Sequence, residues 1–168
     1  MNLLTSRTFS RRGLMRCVSC GAVMTIVAIA SAGCGGAQTG EPRPPEIAFG
    51  RDMCEQCGMV ISEARFASAT VLKDGAARKF DDIGDMLMYH MDRPDQQVAA
   101  YFVHDYNTEA WIRAEAAFYV HSDGIKSPMG HGLAAFATKA DAEAYATKAG
   151  SRVLNFDEMR ADVHVRLH

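Results

Sequence analysis

Basic residues are in short supply in this chain: 18 Lys and Arg stand against 20 Asp and Glu in 168 residues. Four of the basic ones, Arg7, Arg11, Arg12 and Arg16, fall within the first 33 residues, which hold no acid. Beyond them 14 basic residues face 20 acidic ones, a net charge of −6. A nucleic-acid partner requires a basic patch to neutralise phosphates, and this balance excludes one. A membrane-length apolar run is also missing, since Val18 to Ala32 is too short for a comfortable span. No Ser, His and Asp in the order of a nucleophilic triad, no phosphate-cradling glycine loop and no obvious pair of catalytic carboxylates stand out. The reading is therefore of a protein that is not an enzyme and takes no small-molecule substrate.

Cysteine is scarce where it can act. Of five cysteines, Cys17 and Cys20 lie in a segment with the layout of an export signal: a basic stretch from Arg7 to Arg16, an apolar one from Val18 to Ala32, and small residues closing on Ser31-Ala32-Gly33-Cys34. That end resembles a bacterial lipobox, in which Cys34 takes a lipid and becomes the first mature residue. Ser31 stands where such boxes carry Leu, and an ordinary cleaved secretory signal is the alternative. Ser10 to Arg16 also resembles a twin-arginine signal. Residues 1–33 are thus expected to be a lipoprotein signal peptide. Residues 34–46 read as a lipidated flexible tether, because Gly and Pro at that density with almost no apolar residue cannot form a packed core. The expected location is periplasmic, lipid-anchored to a membrane through Cys34, with the outer membrane favoured.

Two thiols then remain, Cys54 and Cys57, inside Met53-Cys54-Glu55-Gln56-Cys57-Gly58-Met59. Thiolates and thioethers are soft donors that select Cu(I) over the oxygen-seeking cations, and zinc makes little use of thioethers, so Met59 tilts the pattern towards monovalent copper. Gly58 tolerates positive φ and permits a tight turn that aims Cys57 and Met59 at one ion. The same spacing also suits a disulfide or a thiol redox pair in an oxidising compartment. A thioredoxin-like pair, however, sits where a strand enters a helix, and the residues after Gly58 look extended. A second sulfur stands in Ser127-Pro128-Met129-Gly130-His131-Gly132, where Met129 falls in a turn. Met129 is either a soft ligand presented by a rigid loop or an anchor packed on the core. His131 is either an imidazole donor or a solvated loop residue. Asp81, Asp82 and Asp85 are explained as caps and a charged first helical turn.

The periodicity predicts two small units. Phe66 to Leu72 and Ala77 to Phe80 are extended runs joined by the turn signal Lys73-Asp74-Gly75, followed by a helix capped by Asp81 or Asp82 and a strand from Val98 to Val103. Ala116 to Val120 and Leu133 to Ala137 repeat the pattern, with a helix from Thr138 to about Lys148 stopped by Gly150 and an extended stretch from Arg152 to Phe156. The expected fold class is α+β, with ββαβ units over residues 47–110 and 111–168.

Three segments in this order, Cys54-x-x-Cys57-Gly58-Met59-x-Ile61, Phe80-Asp81-Asp82-Ile83-Gly84-Asp85-Met86 and Ser127-Pro128-Met129-Gly130, resemble the NosL family of copper-chaperone lipoproteins. The resemblance covers about residues 50 to 156. It implies a paired ββαβ fold similar to that of organomercurial lyase, and a periplasmic Cu(I) carrier serving assembly of the nitrous oxide reductase copper centre. It also implies Cys57, Met59 and Met129 as ligands; beside them Cys54 or His131 is read as an optional further one. A thiol-disulfide oxidoreductase built on Cys54 and Cys57, and a structural Zn2+ module using those cysteines with two histidines, are the competing readings.

Overall fold

The computed structural model of the protein describes residues 40–167. Its first half is built around the Asp-Gly turn. Gly75 adopts φ +88°, its N–H donates to the Leu72 carbonyl at 2.9 Å, and Asp74 Oδ1 accepts the Ala76 N–H at 2.9 Å. This folds β1 (Ser68–Leu72) antiparallel onto β2 (Ala77–Phe80). Helix α1 (Ile83–Met91) starts at Asp82, whose side chain accepts the Gly84 N–H at 2.8 Å and so satisfies one of the free donors of the first turn. Strand β3 (Val98–His104) then returns antiparallel beside β1, and a short strand not anticipated from the sequence, β4 (Trp111–Arg113), pairs with its far side. The order is β2-β1-β3-β4.

The second half repeats the plan with β5 (Phe118–His121), β6 (Leu133–Phe136), α2 (Lys139–Ala149) and β7 (Val153–Leu154), in the order β6-β5-β7. Thr138 caps α2 by accepting the Asp141 N–H, and Gly150 ends it at φ +63°, both as expected. In each half the first strand lies between the other two, so the α+β architecture of paired ββαβ units holds.

The end of the chain differs from expectation. Only Val153–Leu154 of the stretch from Arg152 to Phe156 is strand, and Phe156 opens a third helix, α3 (Phe156–Leu167). The cause is a reciprocal cap: the Asn155 N–H donates to Glu158 Oε2 at 2.8 Å and the Glu158 N–H to Asn155 Oδ1 at 2.9 Å. Phe156, Met159 and Val163, spaced three and four apart, then fall on one buried face.

The halves share a core. Phe80, Ile83 and Met86 of the first pack in one buried cluster with Tyr119, Leu133 and Met159 of the second, each large side chain contributing roughly 1.5–3 kcal/mol by leaving water. The opposite face of the small sheet, with Val120 and Phe136, is covered by Ala142 and Ala146 of α2. Pro42, Pro44 and Pro45 are half-buried and, with Val71, Gly75 and Ala77, line a cleft of about 540 Å³ beside β1 and β2. Among the described residues no helix is long and apolar enough to cross a membrane. The export segment and Cys34 lie outside the described residues.

Candidate metal centre

The N-terminal turn of α1 gathers the two sulfur-bearing segments. The first is closed by its own backbone: the Cys54 N–H donates to the Met59 carbonyl at 2.8 Å, the Gly58 N–H to the Cys54 carbonyl at 2.9 Å, and Met53 bridges Val60. Gly58 sits at φ +72°, the conformation foreseen for it. The Glu55 N–H on the Lys79 carbonyl at 3.0 Å and the Lys79 ammonium on Asp52 Oδ2 at 2.7 Å tie this turn to β2. Cys54 is consequently buried, Cys57 half-buried, and Met59 stands in solvent with 55% of its surface exposed.

The second segment folds on itself through the Gly130 N–H to the Ser127 carbonyl, 2.9 Å, and the Gly132 N–H to Ser127 Oγ, 3.1 Å. It reaches α1 twice. The Met129 N–H donates to Asp82 Oδ2 at 3.3 Å, and His131 Nε2 meets Asp85 Oδ1 at 2.9 Å. Residues 75 positions apart in sequence, such as Cys54 and Met129, are thus carried to the same helix end. Met129 itself is half-buried.

Between the segments lies a group the sequence did not single out. The Cys54 thiol donates to Asp85 Oδ2 at 3.3 Å and the Cys57 thiol to Asp81 Oδ1 at 3.6 Å. One donor atom from each of the four residues lies within 4.8 Å of every other, so each carboxylate faces both thiols. Asp82 is the cap, as expected, but Asp81 and Asp85 are not accounted for by capping: they accept from the cysteines. Their spacing of four residues was the available signal, since it aligns two side chains at a helix start.

The charges follow from this packing. Burial pushes the Cys54 thiol well above its ordinary value. It raises Cys57 too, with the neighbouring carboxylates adding to the effect. Burial would also raise Asp85, but hydrogen bonds from His131 and the two thiols outweigh it and hold the carboxyl below the usual range. His131 is raised in return, chiefly by Asp85. Asp82 is raised by burial, opposed by Ser127 and the Gly84 N–H. Burial thus favours the neutral form of both thiols, while Asp85 and His131 each favour the charged form of the other.

Comparison with known proteins fits this arrangement. The NosL family model matches residues 47–164, which span both segments and the helix between them. The chain belongs to the NosL family. The copper-binding lipoprotein NosL of Stutzerimonas stutzeri is 30% identical over 145 residues, covering 80% of this chain and 76% of its own length. The crystal structure of the copper chaperone NosL from Shewanella denitrificans superposes with a TM-score of 0.61 at 25% identity, covering 70% of this chain and 96% of that one.

Within this NosL domain three other histidines have partners of their own. His90 Nε2 meets Thr70 Oγ1 at 2.9 Å, His104 Nδ1 meets the Ala67 carbonyl at 2.9 Å, and His121 pairs with Asp162 of α3. Of these and His131, only His131 reaches the cysteine site. Two carboxylates, rather than two histidines, complete the four-donor group around the thiols.

Proposed function

We propose that the protein is a periplasmic Cu(I) carrier in which the Cys57 thiolate holds the ion together with the thioethers of Met59 and Met129, and which delivers it for assembly of the nitrous oxide reductase copper centre. The observation that carries this reading is the docking of the Cys57 turn and the Met129 loop on one helix end, through Asp81 and Asp82. Three soft sulfurs favour Cu(I), and a ligand on an exposed turn lets an acceptor's donors attack the bound ion without its release. Cys54 and His131 are the further ligands the site offers. The acceptor and the lipid anchor at Cys34 follow from the family resemblance, with the membrane as second partner.

The surroundings suit transfer. Phe49, Met53, Met59 and Val60 are exposed apolar residues on and beside the same turn, and apolar surface concentrated at a site marks a place where another protein docks. The redox reading needs an attacking thiol of low pKa. Here both thiols are pushed the other way by burial, and the pair lies within a strand-like turn rather than opening a helix of its own, so carriage rather than disulfide exchange is the better reading.

The test is Cu(I) competition against a chelator under reducing, oxygen-free conditions. The parent is expected to take about one equivalent, and Cys57→Ser, whose hydroxyl stays protonated at neutral pH, to lose affinity by orders of magnitude with its circular dichroism intact. Equal uptake by the variant sinks the assignment.

A further inference from the structure

Basic residues are scarce in this chain, yet three of them gather around the end of α1 that lies away from the cysteines. Arg78 of β2 is the cross-strand neighbour of Thr70, and Thr70 Oγ1 lies 2.9 Å from Nε2 of His90, in the last turn of α1. Arg93 places its Cζ 4.0 Å over the Tyr89 ring, whose centroid is 5.2 Å from that of His90. Arg160 of α3 lies over Phe156, Phe156 packs on Tyr101, and Tyr101 stands edge-on to His90. Tyr101 is also the partner of Thr70 across β1 and β3. Arg78, Thr70 and Tyr101 therefore form one row on a single face of the large sheet, and His90 packs on that row.

Two features of this row call for a ligand. Arg78 Nε and His90 Nδ1 are buried and meet no hydrogen-bonding atom of the protein, and a buried polar group left unpaired is costly. Arg78 Nε–H is a donor in every state of its side chain, and His90 Nδ1 is one whenever Nε2 takes the Thr70 hydroxyl. The second feature is charge. Arg78 and Arg93 donate to uncharged oxygens, those of the Ala77 and Tyr89 carbonyls and the Gln56 side chain, while Arg160 stacks on a ring. The field they leave at His90 is positive: burial first, and then these three charges, push its pKa down. A water molecule would satisfy the two nitrogens and leave the charge, whereas an anion satisfies both.

We propose that Arg78, His90 and Arg160 bind an oxyanion of the phosphate class, with Arg78 Nε–H and His90 Nδ1–H as the inner donors and the Arg160 guanidinium closing from α3. Guanidinium forks match phosphate oxygens, and hydrogen bonds between charged partners are the strong class. Arg93 contributes field rather than contact, because its Nη1 is committed to the Tyr89 carbonyl at 3.2 Å and to Gln56 Oε1 at 3.5 Å. A dianion gains more from three positive charges than a carboxylate does, since the attraction scales with the product of the charges. The same phosphate chemistry is carried by the free ion and by a phosphomonoester lipid headgroup. The site uses none of Cys54, Cys57, Met59 or Met129 and lies at the opposite end of α1, so it stands or falls independently of copper carriage.

The experiment is calorimetric titration of the metal-free protein with inorganic phosphate and, separately, with glycerol 3-phosphate, at neutral pH and an ionic strength held constant with NaCl. Saturable binding at a single site is expected. Arg78→Gln and Arg160→Gln are each expected to weaken it by ~10-fold or more, the effect of losing a hydrogen bond to a charged group. Arg113→Gln removes a guanidinium that stacks on Phe102, on the other face of β3, and is expected to leave binding unchanged. Arg78→Lys keeps the charge without the Nε–H and is expected to fall between the parent and Arg78→Gln. Phosphate is also expected to shift the His90 ring nitrogen resonances of the parent where chloride does not, a readout that stands even if the Arg78 variants fail to fold, as does the exposed Arg160. The tighter of the two ligands names the source, glycerol 3-phosphate a lipid headgroup and inorganic phosphate the free ion. Heats no larger than those of NaCl alone, His90 resonances that phosphate does not move, or an Arg113→Gln protein weakened as much as Arg160→Gln overturns the proposal and leaves the two nitrogens to water.

Discussion

Gly84 and His131 are packed so closely that a β-carbon on Gly84 would lie 2.4 Å from His131 Cγ and 2.5 Å from Cδ2. The ring has no retreat, since Nε2 is held on Asp85 Oδ1. The first turn of α1 and the loop carrying Met129 therefore meet through a glycine because nothing larger fits between them. Gly84→Ala is expected to lower stability by about 1–3 kcal/mol, the usual cost of forcing atoms into a packed contact, and to weaken Cu(I) binding by moving the loop off the helix. Urea denaturation and chelator competition measure the two effects. A variant with parental stability and affinity would show that the loop gives way freely, and that its position does not set the site.

Met129→Leu addresses the thioether itself. Leucine preserves bulk and hydrophobicity, so a packing role predicts little change, at most about 1.5 kcal/mol in stability, and unaltered Cu(I) uptake. A ligand role predicts weaker uptake at unchanged stability. It also predicts that Cu(I) slows hydrogen exchange in residues 127–132 of the parent and not of the variant, because a ligand that binds only the joined segments stabilises them by mass action. Identical copper affinity and exchange protection in both proteins would confine the metal to the cysteine turn.

The parts of this structure legible in the sequence are those set by local chemistry. Thr138 and Gly150 bracket α2, Asp74-Gly75 turns the first hairpin, and Gly58 takes the positive φ that its place between Cys57 and Met59 demanded. Helix α3 was legible in principle through Asn155-x-x-Glu158, but Val153 and Phe156 are strand formers by type, and the β pattern masked the cap. Asp81 and Asp85 were hidden for a different reason. A carboxylate at a helix start already has a sufficient local explanation in the helix dipole, and only the tertiary approach of the cysteine turn, through Glu55 on β2, supplies the thiols.

The cap at Asn155 yields its own expectation. Asn155→Ala removes the side-chain acceptor for the Glu158 N–H, and loss of such a cap costs about 1 kcal/mol. Because Met159 and Val163 of α3 belong to the shared core, the loss is expected in the single cooperative unfolding transition rather than in a separate early melt of the last helix. Thermal melts followed by helix and by aromatic signals test this, and non-coincident transitions would show α3 to be an independent appendage.

His90 provides a pH dependence whose sign is fixed by its surroundings. The ring sits among Phe80, Tyr89 and Tyr101, accepts or donates one hydrogen bond with Thr70, and has a buried Nδ1 with no partner, so a second ring proton would go unsolvated. Burial first, and then the positive charges of Arg78, Arg93 and Arg160, lower its pKa from 6.5 to about 4. Between those values the unfolded chain takes up a proton that the folded protein refuses. The resulting stability is fully present above pH 6.5 and disappears as the pH falls towards 4, a change of about 3 kcal/mol. His90→Gln keeps a polar group for Thr70 and cannot titrate. Its stability is expected to be lower than the parent's at pH 7.5 and to approach it near pH 4, with a residual slope from His104, which burial lowers in the same sense. Urea midpoints for the two proteins that fall in parallel from pH 7 to 4 would show that His90 is already solvated in the folded state.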